Sequence, residues 1–209
     1  MCKTITWLIL LYLETISLDE AEIMIDRLHV AESQASTPQQ VSLVDDQFLK
    51  GHLHMRKQNI DHAISIFKHC TDLYANITGI SSVGTASAII SGVEAMLVQG
   101  NIEGSAQNLC DADHIQKEIG SSCVLRIRVK WNLARYSLRV GDHIRATRHY
   151  KDLCEQHENN HDSVGPPSHR WEALHCELGD VYLDLGDVQR AKAEYEIGRS
   201  SARQGSRPV

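Results

Sequence analysis

The sequence predicts an all-α protein built as an array of about five helix–turn–helix units. Three observations lead to this fold class: turn-forming residue pairs recur at nearly constant spacing, segments of helical periodicity lie between them, and no proline interrupts those segments. Among the 209 residues, 42% are apolar and 23% charged, which is the balance of a globular protein. Aromatic residues make up only 5%, which disfavours an all-β sandwich of many short strands.

The repeat is visible in the turn-forming pairs, which are Ile16-Ser17, Gln58-Asn59, Gly100-Asn101, Gly141-Asp142 and Gly186-Asp187. The second members of these pairs are separated by 42, 42, 41 and 45 residues. A small residue and then a large apolar one follow three of the turns at fixed offsets, as Ala63 and Phe67, Ala146 and Tyr150, and Ala191 and Tyr195. We therefore predict one array over 1–209, with repeats at 1–37, 38–79, 80–120, 121–165 and 166–203 and a tail at 204–209.

The apolar N-terminus fits the same frame. Trp7–Leu13 follows Lys3 and has the look of a short signal-peptide core, but it is too short to span a bilayer. Glu14 closes the apolar run, and no small-residue cleavage site follows it. The repeat spacing instead assigns Thr4–Thr15 to the first helix of the first repeat, so we expect neither a signal peptide nor a membrane segment.

Three of the five copies carry a specific family resemblance. Copy five contains Leu178-Gly179, Tyr182, Leu185-Gly186-Asp187, Ala191 and Tyr195, and it resembles the tetratricopeptide-repeat consensus with its spacing intact. Copy four keeps Leu133-Ala134, Gly141-Asp142, Ala146 and Tyr150, and copy two keeps Gly51, Ala63 and Phe67. The spacing exceeds the standard repeat of about 34 residues, so the chain resembles the long variant of the family.

This resemblance implies a right-handed α-solenoid. It also implies that the small residues Ala63, Ala146 and Ala191 allow close approach of helices, while the aromatic residues that follow them fill the adjacent space. In the family, the first helix of each repeat lines a concave groove that binds a peptide or a partner helix. The resemblance therefore implies a non-enzymatic protein-interaction scaffold without a cofactor.

The strongest local charge feature is basic. Between positions 126 and 151 the chain carries eight of its 21 lysine and arginine residues, although the whole chain has a net charge of −6. Arg128, Trp131, Arg135 and Arg139 follow helical spacing and share one stripe, at positions that face the ligand in the resembling family. We predict that this stripe binds an acidic peptide or a phosphate group, with Trp131 as an aromatic anchor. The alternative is a solvated helix face with Trp131 buried between helices; the acidic remainder of the chain argues against nucleic acid.

Two other functions stay open from the sequence. The array resembles the sensing arrays of sensor ATPases and transcriptional regulators, so the chain is alternatively a fragment or a paralogue of one. His157-Glu158-x-x-His161 matches the zinc-hydrolase signature, in which two histidines one turn apart bind the metal. Its polar surroundings favour a fraying helix end instead, and we expect no metal site and no catalysis.

The remaining expectations concern the environment of the chain. The six cysteines include no C-x-x-C pair, and we predict buried free thiols in a cytoplasmic protein, with the nucleus as the alternative compartment. Neither end of the array shows a polar capping helix, so self-association through the array ends is a further expectation.

Overall fold

The computed structural model describes residues 18–33, 40–120, 123–159 and 168–205, and every regular element in these ranges is an α-helix. The helices are α1 Leu18–Ser33, α2 Gln40–Arg56, α3 Ile60–Thr78, α4 Val83–Gln99, α5 Ile102–Glu118, α6 Cys123–Arg139, α7 His143–Asn159, α8 Ser168–Asp184 and α9 Val188–Gly205. The predicted all-α class is confirmed. The proposed first helix at Thr4–Thr15 lies outside the described residues.

In the described ranges, four tight turns join helices into hairpins, and all four close in the same way. In the last of them, the Gly186 N–H donates to the carbonyl of Leu183 and the Asp187 N–H donates to that of Tyr182, at 2.9 and 2.8 Å. This is the Schellman closure, which requires a left-handed residue just after the helix. Glycine supplies it at three turns, with φ of +86°, +80° and +76° at Gly100, Gly141 and Gly186.

The residue that ends each turn also starts the next helix. Asp142 and Asp187 accept hydrogen bonds from the backbone N–H groups of Arg145 and Arg190, at 2.9 and 3.1 Å. Such side-chain acceptors satisfy N–H groups that the first turn of a helix leaves without partners. Both aspartates therefore act as N-caps of the helices that follow the turns.

The chain divides into two compact units, Met1–Ser121 and Ser122–Val209. In the first unit, α1 to α5 pack in sequence order, around buried clusters that include Ile25 and Leu49 near α1 and Phe67 and Tyr74 further along. In the second unit, α6 to α9 pack in sequence order. Its core is a cluster centred on Tyr150, Leu153, Leu174 and Leu178. The predicted repeat boundaries stay a prediction.

The cysteines are less uniform than expected. Cys70, Cys110, Cys154 and Cys176 are free thiols, but only Cys70 is buried, while Cys110 is exposed. Burial raises the pKa of the Cys70 thiol to about 12, so this group stays protonated at neutral pH. The expectation of buried thiols was therefore wrong for Cys110, which sits on the solvent face of α5.

Candidate functional site

The predicted basic stripe runs along α6, where residues three and four apart share a face. Arg139 is exposed at the end of the helix, while Arg128, Trp131 and Arg135 are half-buried. Trp131 packs against the core of the second unit instead of projecting fully into solvent. The stripe therefore consists of three half-buried residues followed by one exposed arginine at the end of the helix.

One carboxylate, that of Glu177 on α8, collects donors from two neighbouring helices. The indole Nε1 of Trp131 donates to Oε2 at 2.6 Å, and the hydroxyl of Tyr150 on α7 donates to the same oxygen at 2.8 Å. The guanidinium Nε of Arg135 lies 3.1 Å from both carboxylate oxygens, and its Nη2 donates to Oε1. We call these four side chains the Glu177 cluster.

The Glu177 cluster is held together by charge, stacking and burial. The guanidinium carbon of Arg135 stands 5.1 Å from the centre of the Trp131 ring, which is a cation–π distance. Burial, together with the carboxylate of Glu177, raises the pKa of the Tyr150 hydroxyl far above its usual range, so the tyrosine is a permanent donor. The cluster thus ties α6 and α7 to α8 through a single acidic side chain.

This arrangement changes how the stripe can serve as a binding surface. Trp131 and Arg135 already hold a carboxylate of the chain itself, and the half-buried Trp131 packs against the core of the second unit. The Arg135 side chain nevertheless keeps 41% of its surface exposed, and Arg139 forms no ion pair in the described part of the chain. A ligand that approaches this face would meet Arg139 and the outer edge of Arg135.

Most of the residues predicted to define the repeats are buried. Ala63, Ala146 and Ala191 are buried between helices, as are Phe67 and Tyr150. Tyr182 is buried too, whereas Tyr195 is half-buried and donates its hydroxyl hydrogen to Asp180. Gly186 occupies the left-handed turn position described above.

Gly179 has a further role that the sequence did not reveal. A Cβ atom added to it would lie 2.6 Å from the ring of Tyr195, and a Cβ on Gly51 would lie equally close to the ring of Phe67. Real carbon atoms do not approach so closely, so each glycine makes room for the aromatic ring of its own hairpin. In each hairpin the glycine and the aromatic residue lie at equal sequence distances from the turn between them. Comparing residues at equal distances would have indicated these contacts from the sequence.

The zinc-hydrolase motif gains no support from the described residues. His157 and Glu158 lie in the last turn of α7, where the structure describes the backbone only. His161 lies outside the described residues. Glu177, an acidic residue downstream of the motif, is engaged by Trp131, Arg135 and Tyr150. Within the described ranges, no three His, Cys, Asp or Glu side chains form a group suited to a metal ion.

Comparison with known proteins identifies the repeats. Residues 47–77 and 173–196 match the family model of the tetratricopeptide repeat. These segments include the glycine–aromatic contacts of the α2–α3 and α8–α9 hairpins. No curated protein sequence matches the chain.

Solved structures extend the likeness to nearly the whole chain. BtubC (BKLC) from P. vanneervenii aligns with a TM-score of 0.71 at 20% identity, over 99% of this chain and 82% of that one. A putative kinesin light chain from Podosopora anserina with nearly identical TPR-like repeats gives 0.62 at 15%, over 99% and 97%. The apo form of RapI gives 0.60 at 12%, over 96% and 81%.

These likenesses confirm the fold class, which is a TPR-like array of helical hairpins. The structural alignments cover both segments that match the family model and also the chain between them. The resemblance stated from copies two, four and five is thus confirmed. The alternatives of a regulator's sensing array and of a zinc hydrolase gain no support from these comparisons. None of the helices in the described ranges has the length and apolarity needed to cross a bilayer.

Proposed function

We propose that this protein is a non-enzymatic interaction scaffold and that the α6 face of its second unit binds an acidic peptide or partner helix. The fold supports the coarse role, because TPR-like arrays typically bind other proteins. The Glu177 cluster supports the ligand class. It shows that this face already satisfies a carboxylate with an indole N–H, a guanidinium and a phenol.

A peptide carboxylate would bind beside the Glu177 cluster. Arg139 is exposed and unpaired within the described residues, and the guanidinium of Arg135 lies one turn before it on the same stripe. Arginine addresses carboxylates with two parallel hydrogen bonds, which gives direction as well as charge. The ring of Trp131 lies under the guanidinium of Arg135 and holds it in place. In this proposal Trp131 does not anchor the peptide in an open pocket.

The compartment belongs to the same proposal. Four described cysteines are free thiols, which suits the reducing cytoplasm, with the nucleus as the alternative.

The proposal is tested by binding of a fluorescent glutamate-rich peptide, measured by anisotropy at several salt concentrations. We expect a dissociation constant in the micromolar range, about −8 kcal/mol, because only a few exposed charges take part. Affinity should fall steeply with added salt, since such charges are screened beyond about 8 Å at physiological ionic strength. The same peptide with glutamine in place of glutamate should not bind.

Arg139→Glu is the decisive variant, and Arg27→Glu is its matched control. Both replace an exposed arginine and change the net charge equally, but Arg27 lies on α1 in the other unit. Arg139→Glu should weaken binding by at least about tenfold, or 1.4 kcal/mol, while Arg27→Glu leaves it unchanged. Equal affinity in the two variants would contradict the proposed site.

A further inference from the structure

A second surface of the same unit is apolar and lies at the turns. Val140 and Ile144 flank the α6–α7 turn, and Leu185 and Val188 flank the α8–α9 turn; we call these four residues the turn-edge patch. All four are exposed, Ile144 by 72%. Singly exposed apolar residues are ordinary on protein surfaces, but several on adjoining turns mark a docking surface.

The two turns stand side by side. His143, next to Ile144, has its Nδ1 atom 4.0 Å from a carboxylate oxygen of Asp184, next to Leu185. The ring of Tyr182 on α8 has two cations near it. The Nζ atom of Lys151 on α7 and the guanidinium carbon of Arg190 on α9 each lie 5.7 Å from the ring centre. Contacts of this kind between the hairpins bring the apolar residues of the two turns onto one edge.

The rim of the turn-edge patch includes the carboxylate of Asp184, which lies beside His143, but its net charge is positive. Arg145 and Arg190 pair with Asp142 and Asp187, the caps of their own helices, so these four charges cancel. Arg148 lies one helical turn after Ile144, is exposed, and forms no ion pair in the described ranges. Arg139 borders the patch as well, but it also belongs to the proposed peptide site and is therefore left out of the test below.

The complementary surface lies on α1. Asp19, Ile23, Asp26 and Val30 are spaced by four, three and four residues, so they form one stripe of the helix. All four are exposed, with Ile23 and Val30 each 51% accessible. The two aspartates form no ion pair among the described residues. We call these four residues the α1 stripe; it alternates carboxylates with apolar side chains.

We propose that the α1 stripe of one copy of this chain docks on the turn-edge patch of a second copy. Apolar residues of the stripe would cover Ile144 and its neighbours, while Asp26 would face Arg148. The contact is heterologous, because the two surfaces differ. Each copy uses its α1 stripe to contact one neighbour and its turn-edge patch to contact another. This inference is independent of the proposed peptide site, because none of these eight residues belongs to it.

The association is measured by sedimentation velocity from micromolar to submillimolar protein. The wild-type chain should shift from monomer to larger species with concentration, and added salt should oppose the shift. Asp26→Lys and Arg148→Glu should each weaken association about tenfold, because each places like charges opposite one another. The chain that carries both substitutions should recover it, since a lysine then faces a glutamate.

Matched controls separate this contact from general effects of charge and hydropathy. Asp72→Lys and Arg199→Glu make the same changes of charge at exposed positions outside both surfaces and should leave association unchanged. Ile144→Ser should weaken association, whereas Ile80→Ser, which alters an equally exposed isoleucine elsewhere, should not.

A monomer at every concentration would overturn the proposal and leave the turn-edge patch to a foreign helix. Wild-type association in either single charge variant, or no recovery in the double variant, would overturn it equally. Binding of the glutamate-rich peptide by the Arg148→Glu chain should stay at the wild-type level. The two proposals can therefore fail separately.

Discussion

Gly51 and Phe67 show how volume is divided at the scale of single residues. The glycine lies on α2, the ring lies on α3, and the ring passes where a Cβ would otherwise stand. The equivalent positions in the next hairpin hold Val93 and Leu109, both buried. Val93 is larger than glycine, and Leu109 is smaller than phenylalanine. The space between the paired helices is therefore filled in both hairpins.

We predict that Gly51→Ala lowers the free energy of unfolding by about 1–3 kcal/mol, the usual cost of overpacking. Phe67 is completely buried and contacts Phe48 and His52, so its ring has no room to retreat. Gly179→Ala should cost less, because Tyr195 is only half-buried and can swing outward. Urea unfolding followed by circular dichroism measures both effects.

Gly92→Ala is the matched control for this prediction. Gly92 is also a buried helical glycine, but its added Cβ would meet only an ordinary contact at 3.6 Å, so the change should stabilise by about 0.5–1 kcal/mol. Adding Phe67→Leu to Gly51→Ala should recover part of the loss. A destabilised Gly92→Ala protein, or no recovery, would contradict the volume argument.

His149 makes stability depend on pH. Burial lowers its pKa from the usual 6.5, and Lys130, Arg145 and Arg148 lower it further against the opposing effect of Asp152. The folded protein therefore holds His149 neutral at a pH where the unfolded chain protonates it. The corresponding stability is complete above pH 6.5 and is lost as the pH falls towards the lowered folded value. His149→Gln should reduce the loss of stability between neutral and mildly acidic pH, measured by urea midpoints against wild type.

At the scale of elements, the turns decide where helices end. Gln58 occupies the position that glycine holds in the other three turns, with a positive φ of 62°. A left-handed conformation strains a residue with a Cβ by about 1–2 kcal/mol, and glycine avoids this strain. The α2–α3 turn is therefore the strained member of the set.

We predict that Gln58→Gly stabilises the protein by roughly 0.5–1 kcal/mol, since part of the relief is offset by the flexibility of glycine in the unfolded chain. The reciprocal change, Gly186→Gln, should destabilise it, because it places the same strain in the α8–α9 turn. Thermal unfolding of the two variants reports the signs, and equal signs would contradict the explanation.

The Glu177 cluster is the second determinant at this scale, because it joins α8 to the hairpin before it. Glu177→Gln should destabilise the protein by about 1.5–3 kcal/mol, the range for hydrogen bonds to charged groups. Its control is Glu172→Gln, which removes the same charge from a half-buried residue of α8 whose side chain forms no hydrogen bond in the described part of the chain. In a cycle with Tyr150→Phe, the two changes should be non-additive. Similar losses from Glu177→Gln and Glu172→Gln would show that charge alone matters.

Sequence periodicity was sufficient to predict the helical class and the turns, because these depend on local residue types such as Gly186 and Asp187. It was not sufficient for the Glu177 cluster. Glu177 lies 46 residues from Trp131 and 42 from Arg135, and the match between them depends on how the hairpins pack. The same limit explains why Trp131 was an open choice between anchor and core.

At the scale of the whole molecule, each compact unit contains a hydrophobic core of its own. Helical arrays are stabilised by contacts between neighbouring elements, so one part can lose structure before another. The tryptophans Trp131 and Trp171 both lie in the second unit. Their fluorescence therefore reports on that unit, whereas circular dichroism reports on all helices.

The substitution Trp7→Phe removes the third tryptophan, so that fluorescence comes only from Trp131 and Trp171. In that background, we predict that Gly51→Ala shifts the urea midpoint seen by circular dichroism and leaves the fluorescence midpoint unchanged. The reason is that the overpacked site lies in the first unit. The control is Glu177→Gln, which should shift the fluorescence midpoint. Equal shifts of both signals by Gly51→Ala would show that the two units unfold as one.

The contact of Gly51 with Phe67 also bears on the order in which such a chain can change over time. Neither residue can be replaced freely while the other remains: an enlarged glycine meets the ring, and a trimmed ring leaves a cavity. At this contact, a change in one residue therefore favours a matching change in the other, although the α6–α7 hairpin holds Ala134 and Tyr150 at the equivalent places with both side chains buried. The α4–α5 hairpin fills the equivalent places with a different pair, Val93 and Leu109, and does not show the glycine–aromatic pattern. The two hairpins that still match the family, at 47–77 and 173–196, are those with glycine and an aromatic ring in these places.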